Sequence, residues 1–225
     1  MQLLRKILRR IEVTILYCFG KIRGLYSKNA YCIKKGYIHR KKSIYFDDTP
    51  LKDEYQKQVY ELARFYLDKH NCKDVLDIGC GSGFKLVHYF PDCNTIGIDI
   101  SPTYEFLIEK YPHNVWLNAT QKETYPAKTD IIICADVIEH LVDPDELINT
   151  IKKIDFEILF ISTPERNTMR GWYDYGPPEN ICHVREWNTK EFRKYMSSHF
   201  EIISHQITSV EDATQLLICK KKITV

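Results

Sequence analysis

Apolar residues recur at three- and four-residue spacing from Leu3 to Leu25, through Leu4, Ile7, Leu8, Ile11, Ile15, Leu16, Phe19 and Ile22. Arg5, Lys6, Arg9 and Arg10 fall mostly on the other side, and this pattern predicts an amphipathic basic helix. An anionic membrane surface contacted through residues 1–26, or a protein surface of this domain or a partner, would cover its apolar face equally well. Residues 27–49 are basic, tyrosine-rich and without clear period, as suits a linker or a flap on the substrate side. After Pro50, the positions of Val59, Leu62, Ala63, Phe65, Tyr66 and Leu67 predict a helix between Leu51 and His70. Strand-like runs at 73–78, 94–99, 114–118, 129–134 and 157–162 then alternate with helical stretches near 83–90, 101–110 and 143–153. Alternation at this pitch predicts a parallel sheet with helices on both faces. Two last runs, 200–207 and 215–219, are too close for a crossover helix and predict an antiparallel pair. The chain thus divides into an arm and linker, 1–49, and an α/β domain, 50–225.

Charge sharpens that division. Residues 1–46 hold twelve Lys or Arg and one Glu, leaving twenty bases and twenty-nine acids for the remaining 179 residues. A basic arm on an acidic body points to an anionic surface for the arm rather than to a basic catalytic cleft. The eight cysteines form no CxxC pair and are expected to be reduced core residues, and no zinc-ligand spacing appears. The stretch from Ile11 to Phe19 carries Glu12 and lacks a small-residue cleavage site, so no cleavable signal peptide is expected. A cytoplasmic location follows, peripheral on the inner membrane face where the arm meets lipid.

The most specific run is Val75-Leu-Asp-Ile-Gly-Cys-Gly-Ser-Gly83, a strand entering a loop with glycine at every second position. Gly79, Gly81 and Gly83 permit a sharp turn and close approach of backbone to a ligand. The spacing is not G-x-G-x-x-G, and Asp77 would oppose a pyrophosphate but favour a cation. A second acid, Asp99, ends the next strand 22 positions later.

Loop and acid together resemble motif I and the following strand of the class I S-adenosylmethionine-dependent methyltransferases. The resemblance implies a Rossmann-like seven-stranded methyltransferase sheet, mostly parallel with an antiparallel C-terminal hairpin, and S-adenosyl-L-methionine as cofactor. It implies Asp77 near the methionine moiety, Gly79, Cys80, Gly81 and Gly83 in the loop beneath, and Asp99 with Ile100 at the ribose. Asn118 offers an amide carbonyl to the adenine amino group where many relatives carry an acid. The run from Asp130 to Pro144 resembles the family's fourth-strand motif and brings Ala135 and Asp136 to the cofactor, followed by Glu139 and His140. In ubiquinone-biosynthesis O-methyltransferases a related turn is associated with a divalent cation, which would enlist Asp136, Glu139 and His140. Two hard carboxylates beside one imidazole do not define a metal, and the favoured expectation is a metal-free turn lining the pocket.

The interval from Ser162 to Asn188 is too aromatic for a solvated linker. Its segment Gly176 to Trp187 looks like a tail seen in methyltransferases encoded for cell-surface glycan synthesis. That likeness implies a sugar hydroxyl as acceptor, His183 or His140 as the catalytic base, and Arg166, Tyr175, Arg185, Glu186 and Trp187 as acceptor contacts. The expected function is O-methylation of a sugar of a surface polysaccharide or its lipid-linked precursor. The alternatives are a quinone-like small aromatic acceptor, or a non-catalytic cofactor-binding partner of a glycosyltransferase. A nucleic-acid acceptor is disfavoured by the acidic body and the lack of an Asn-Pro-Pro-Tyr or Asp-Pro-Pro-Tyr motif.

Overall fold

The strand-forming runs become β1 (Asp74–Ile78), β2 (Asn94–Asp99), β3 (Val115–Asn118), β4 (Ile131–Ala135), β5 (Ile158–Pro164), β6 (Phe200–Ser209) and β7 (Thr214–Lys221). They are seen in a computed structural model that describes residues 2–28 and 30–222, without the side chains of residues 2–6 and 9. Leu3, Leu4, Arg5, Lys6 and Arg9 of the predicted amphipathic pattern therefore have side chains outside the described part. One seven-stranded sheet runs in the order β3-β2-β1-β4-β5-β7-β6. The first five strands are parallel, and β7 lies antiparallel between β5 and β6, as expected of the C-terminal hairpin.

The helices are α1 (Gln2–Tyr26), α2 (Lys57–His70), α3 (Phe84–Tyr89), α4 (Thr103–Lys110), α5 (Pro144–Lys153), α6 (Arg166–Arg170) and α7 (Thr189–Ser197). Alternation along each strand splits the core. Val75 packs with α2, α3 and α4 residues such as Val59, Leu86 and Leu107, while Leu76 and Ile78 pack with Ile148 and Ile151 of α5 and Phe192 of α7. Helix α2 starts at Lys57, later than Pro50 suggests, because residues 52–56 bend and Gln56 takes a left-handed conformation ahead of the first turn. Helix α7 has no counterpart in the periodicity reading. It opens on a capping box in which Asn188 accepts from the Glu191 amide and Glu191 reaches back to the Asn188 amide, a pair visible in the sequence as N-x-x-E.

Residues 31–40 are no free linker. Ile33 and Tyr37 are buried in the α5 and α7 side of the core. The Ile38 amide donates to the Tyr175 carbonyl (2.9 Å) and the Arg40 amide to the Val184 carbonyl (2.9 Å), stitching the arm to the long loop after β5. Trp187, expected to stack on an acceptor, is fully buried instead. Its ring lies parallel to Tyr195 (centroids 5.8 Å apart, 22° between planes) and its indole N–H donates to the Tyr31 carbonyl (2.9 Å). Trp187→Ala should therefore lower the unfolding free energy by about 3–5 kcal/mol in urea titrations; a loss below about 1 kcal/mol would contradict this packing role.

Candidate active site

At the carboxyl ends of β1, β2 and β4 the chain encloses a cavity of about 340 Å³. Its walls come from Ile78 and Gly79 after β1, Asp99 and Ile100 after β2, Asp136, Val137 and His140 after β4, and Leu147 of α5. The arm closes the remaining side with Tyr45, Phe46 and Asp48. Open parallel sheets bind ligands at this edge, beside the strand where the order reverses.

Turn geometry explains the glycines. Gly79 has φ +75° and Gly81 φ +54°, and a Cβ there would collide with Val137 and with the Asp48 carboxylate respectively. The Gly81 amide donates to Asp99 Oδ2 (2.8 Å) and the Ile100 amide to Asp99 Oδ1 (2.7 Å), which aims that carboxylate along the cavity wall. Asp136 also has positive φ, 54°. Its Oδ1 accepts from the Ser162 hydroxyl (2.6 Å) and its Oδ2 from the Gln56 amide (3.0 Å).

These acids crowd one another away from water. Burial pushes the Asp77 carboxyl up to about 7, against a 2.9 Å hydrogen bond donated by Tyr60, and Asp77 Oδ1 has no partner among the described residues. Burial likewise raises Asp99 to about 6, against its two amide donors, and raises Asp48 and Asp136 above the usual carboxylate range. A cation entering the cavity would relieve Asp48, Asp99 and Asp136, which line it.

Four of the ten residues expected at the cofactor line this cavity: Gly79, Asp99, Ile100 and Asp136. Asp77 lies beneath the loop, turned toward α2. Cys80 is buried in the core cluster of α2, α3 and α4, and a Cβ on Gly83 would strike Leu107 and Trp116, so both serve packing. Gly81 is roofed by Asp48. Asn118 spends its carbonyl on the Thr120 amide (3.0 Å) and hydroxyl (2.7 Å), which removes the acceptor expected for adenine. Ala135 is buried at the end of β4.

The two histidines separate in role. His140 lines the cavity, faces Phe46 in a stack (6.3 Å, 27°), and has Nδ1 3.0 Å from the Cys182 carbonyl. A carbonyl only accepts, so Nδ1 carries the proton and Nε2 is the accepting nitrogen. Burial, and then the neighbouring His183, lower its pKa to about 4, so the ring is neutral at pH 7. His183 does not reach the cavity. Asn180 Oδ1 accepts from the Cys182 amide (2.9 Å), which turns its NH₂ to His183 Nε2 (2.9 Å); His183 Nδ1 then donates to Glu186 Oε1 (2.7 Å). With both nitrogens engaged, His183 stands edge-on behind His140 at 4.8 Å.

The expected acceptor contacts are braces instead. Arg185 donates to the carbonyls of Leu141 (2.6 Å) and Val142 (2.5 Å), fixing the turn that carries His140. Arg166 is fully buried, donating to the Glu186 carbonyl (2.7 Å) and to Glu191 (2.9 Å). Tyr175 lies under Gly20 of α1, Glu186 holds His183, and Trp187 is core. Among the described residues, the groups close enough to share a cation are Glu139, His140 and His183, with ligand atoms within 4.8 Å; Asp136 is turned away to Ser162 and Gln56. Tyr45, Phe46 and Asp48 were not legible as site residues, for the stretch that holds them has no period, and Gln56 fell inside the predicted helix; the paired acids Asp47 and Asp48 beside two aromatics were the one available signal.

A family model described as a methyltransferase domain matches residues 51–206. The mitochondrial ubiquinone biosynthesis O-methyltransferase of Saccharomyces cerevisiae is 25% identical over 159 residues, 65% of this chain and 51% of that protein. The tRNA U34 carboxymethyltransferase of Campylobacter jejuni is 29% identical over 124 residues, 50% of this chain and 42% of that protein. The ubiquinone biosynthesis O-methyltransferase of Pseudomonas aeruginosa is 27% identical over 135 residues, 55% of this chain and 58% of that protein. The chain thus spans about half the length of the curated relatives it matches. Among solved structures, the N-methyltransferase NodS of Bradyrhizobium japonicum shares the fold with a TM-score of 0.57 at 19% identity, over 80% of this chain and 94% of its own.

The carboxylate crowding has a measurable consequence. An unfolded aspartate ionises near pH 3.9, whereas folded Asp77 stays protonated to about pH 7, so ionising it costs stability as pH rises between these values. Asp77→Asn should be more stable than the parent by up to about 4 kcal/mol near pH 8, with the gap closing toward about pH 4. Urea titrations across that range check the trend, and a gap that does not change with pH would refute it.

Proposed function

We propose, from the premise that this chain belongs to the methyltransferase domain family, that it is an S-adenosylmethionine-dependent O-methyltransferase acting on a sugar hydroxyl of a surface polysaccharide or its lipid-linked precursor. The observation that carries O-methylation is His140, a neutral imidazole on the cavity wall with Nδ1–H committed to Cys182 and Nε2 left to take a proton. When bound, the cofactor supplies an electrophilic methyl group on a sulfonium. The residues fit it: the left-handed turns at Gly79 and Gly81 clear backbone space, and Asp48, Asp99 and Asp136 line the cavity with carboxyls whose ionised form a bound cation would favour. Asp99, aimed by two amides, keeps lone pairs for two ribose hydroxyls.

His140 receives the hydroxyl proton as the acceptor oxygen attacks, while His183 and Arg185 hold its ring and turn in place. Positioning supplies the rest of the acceleration. The sugar reading draws on the Gly176 to Trp187 likeness, and on Ser43, Asp143, Glu146 and Thr150 at the cavity, groups suited to bonding several hydroxyls. Five acidic side chains against one lysine on the wall oppose a nucleic-acid backbone running through the cavity, so the tRNA relative does not guide the substrate reading. A quinone-like aromatic acceptor is the second reading, favoured by the Phe46–His140 stack and by the two ubiquinone-pathway relatives.

Methyl transfer to nucleotide- or lipid-linked sugars, with no transfer to catechols, is the expected outcome of a radiolabel assay. The reverse preference would replace the sugar reading by the aromatic one, and cofactor binding without transfer to either class would favour the non-catalytic glycosyltransferase partner. His140→Ala should lower turnover by about 10²–10⁴-fold and leave cofactor affinity within about threefold; an unchanged rate would remove His140 from the base role. Asp99→Ala should weaken cofactor binding at least about a hundredfold by calorimetry, since two hydrogen bonds to a charged group are lost.

A further inference from the structure

Helix α1 presents its large apolar residues away from the protein. It rests on the domain through Tyr17, whose ring meets Trp172 (5.3 Å) and Tyr175 (6.0 Å), and through Gly20 against Tyr175 and Gly24 against the Lys35 carbonyl. With about 3.6 residues per turn, these three share one narrow strip. Ile11, Ile15, Phe19 and Ile22 fall on the opposite side, and they are 51%, 49%, 57% and 55% exposed. Leu8 and Leu25 extend the same exposed stripe toward both ends. Arg10 and Lys21 border it on one side and Arg23 on the other, with Glu12 the single acid of the helix. No helix among the described residues is long and apolar enough to cross a membrane.

We propose that this outward face docks α1 in the plane of an anionic lipid bilayer, the apolar stripe entering the headgroup boundary and the bordering cations meeting lipid phosphates. The charge pattern selects lipid over a second copy of the chain. Two α1 helices packed face to face would bring together two segments that each hold six bases and one acid, whereas an anionic surface complements that charge and repels the acidic body. The layout, a continuous apolar stripe flanked by basic residues, is that of a helix lying in an interface rather than crossing it.

Flotation of the full-length protein with phosphatidylcholine vesicles, with and without phosphatidylglycerol, tests this. Binding should require the anionic lipid and weaken as salt is raised. The double variant Ile15→Asp, Phe19→Asp alters only exposed side chains remote from the cavity, so its thermal unfolding and cofactor affinity should match the parent while vesicle binding falls about tenfold or more. Absence of flotation with either vesicle overturns the proposal, as does undiminished binding of the variant. A dimer in sedimentation analysis that the same variant dissolves would assign the face to a second copy and overturn it too.

Discussion

Four carboxylates held around one turn, their charge offset only in part by Lys85, are the constraint on which the site depends. Asp77 is placed by strand alternation, Asp99 by two amides, Asp136 by a left-handed turn, and Asp48 by a segment that arrives from the arm. Removing them from water raises every one above the ordinary carboxylate range, so the protein alone is in an unfavourable electrostatic state. Such an arrangement persists because the fold over-determines it: the parallel register Asp77↔Gly97 and Asp77↔Ile133 fixes the three strand ends relative to one another. The sheet provides the rigidity, and a bound cation would stabilise the ionised form of these incompletely compensated acids.

A second layer of buried charge supports the histidine. Arg166, Arg185, Glu186 and Glu191 are all buried, at a desolvation cost that only well-made hydrogen bonds offset. Each finds backbone carbonyls, an opposite charge or an imidazole: Arg185 the turn after His140, Arg166 the Glu186 carbonyl and Glu191, Glu186 the ring of His183. Aromatic rings complete the packing, with the Arg166 guanidinium 4.9 Å from the Tyr37 ring and that of Arg185 4.6 Å from Tyr31. The long loop is therefore a scaffold that fixes the His140 turn from behind, with Arg166, Arg185 and Glu186 facing inward.

This explains what could be learned before the structure. Strand and helix alternation, sheet class, glycine loop and Asp99 follow from local pattern, because period and turn chemistry act over a few residues. The direction in which Arg185, Glu186 and Trp187 point does not. In sequence, a charged and aromatic loop built to bind an acceptor is indistinguishable from one built to brace a turn, since the difference lies in which carbonyls the guanidinium reaches. The α1 face is an intermediate case. Periodicity showed that one side is apolar, while Gly20 and Gly24, small residues one turn apart, were the sign of which side approaches the domain.

Under the proposed function, acceptor discrimination falls to one wall of the cavity. Strand ends and glycine turn lie inside the stretch that matches the methyltransferase domain family, residues 51–206. Tyr45, Phe46 and Asp48 lie outside that stretch, yet they form the wall facing His140 and the Gly81 turn. Their position follows from the arm, threaded by Tyr37, Ile38 and Arg40 through the loop after β5 and pinned again where the Tyr45 hydroxyl meets that of Thr103 (2.8 Å). A wall delivered by a segment outside the shared domain can change its side chains without disturbing the carboxylates or the sheet. On the proposed O-methyltransferase reading, acceptor choice would follow from how residues 43–48 complement the polar side chains of α5 across the cavity, with the common core left to hold the methyl donor.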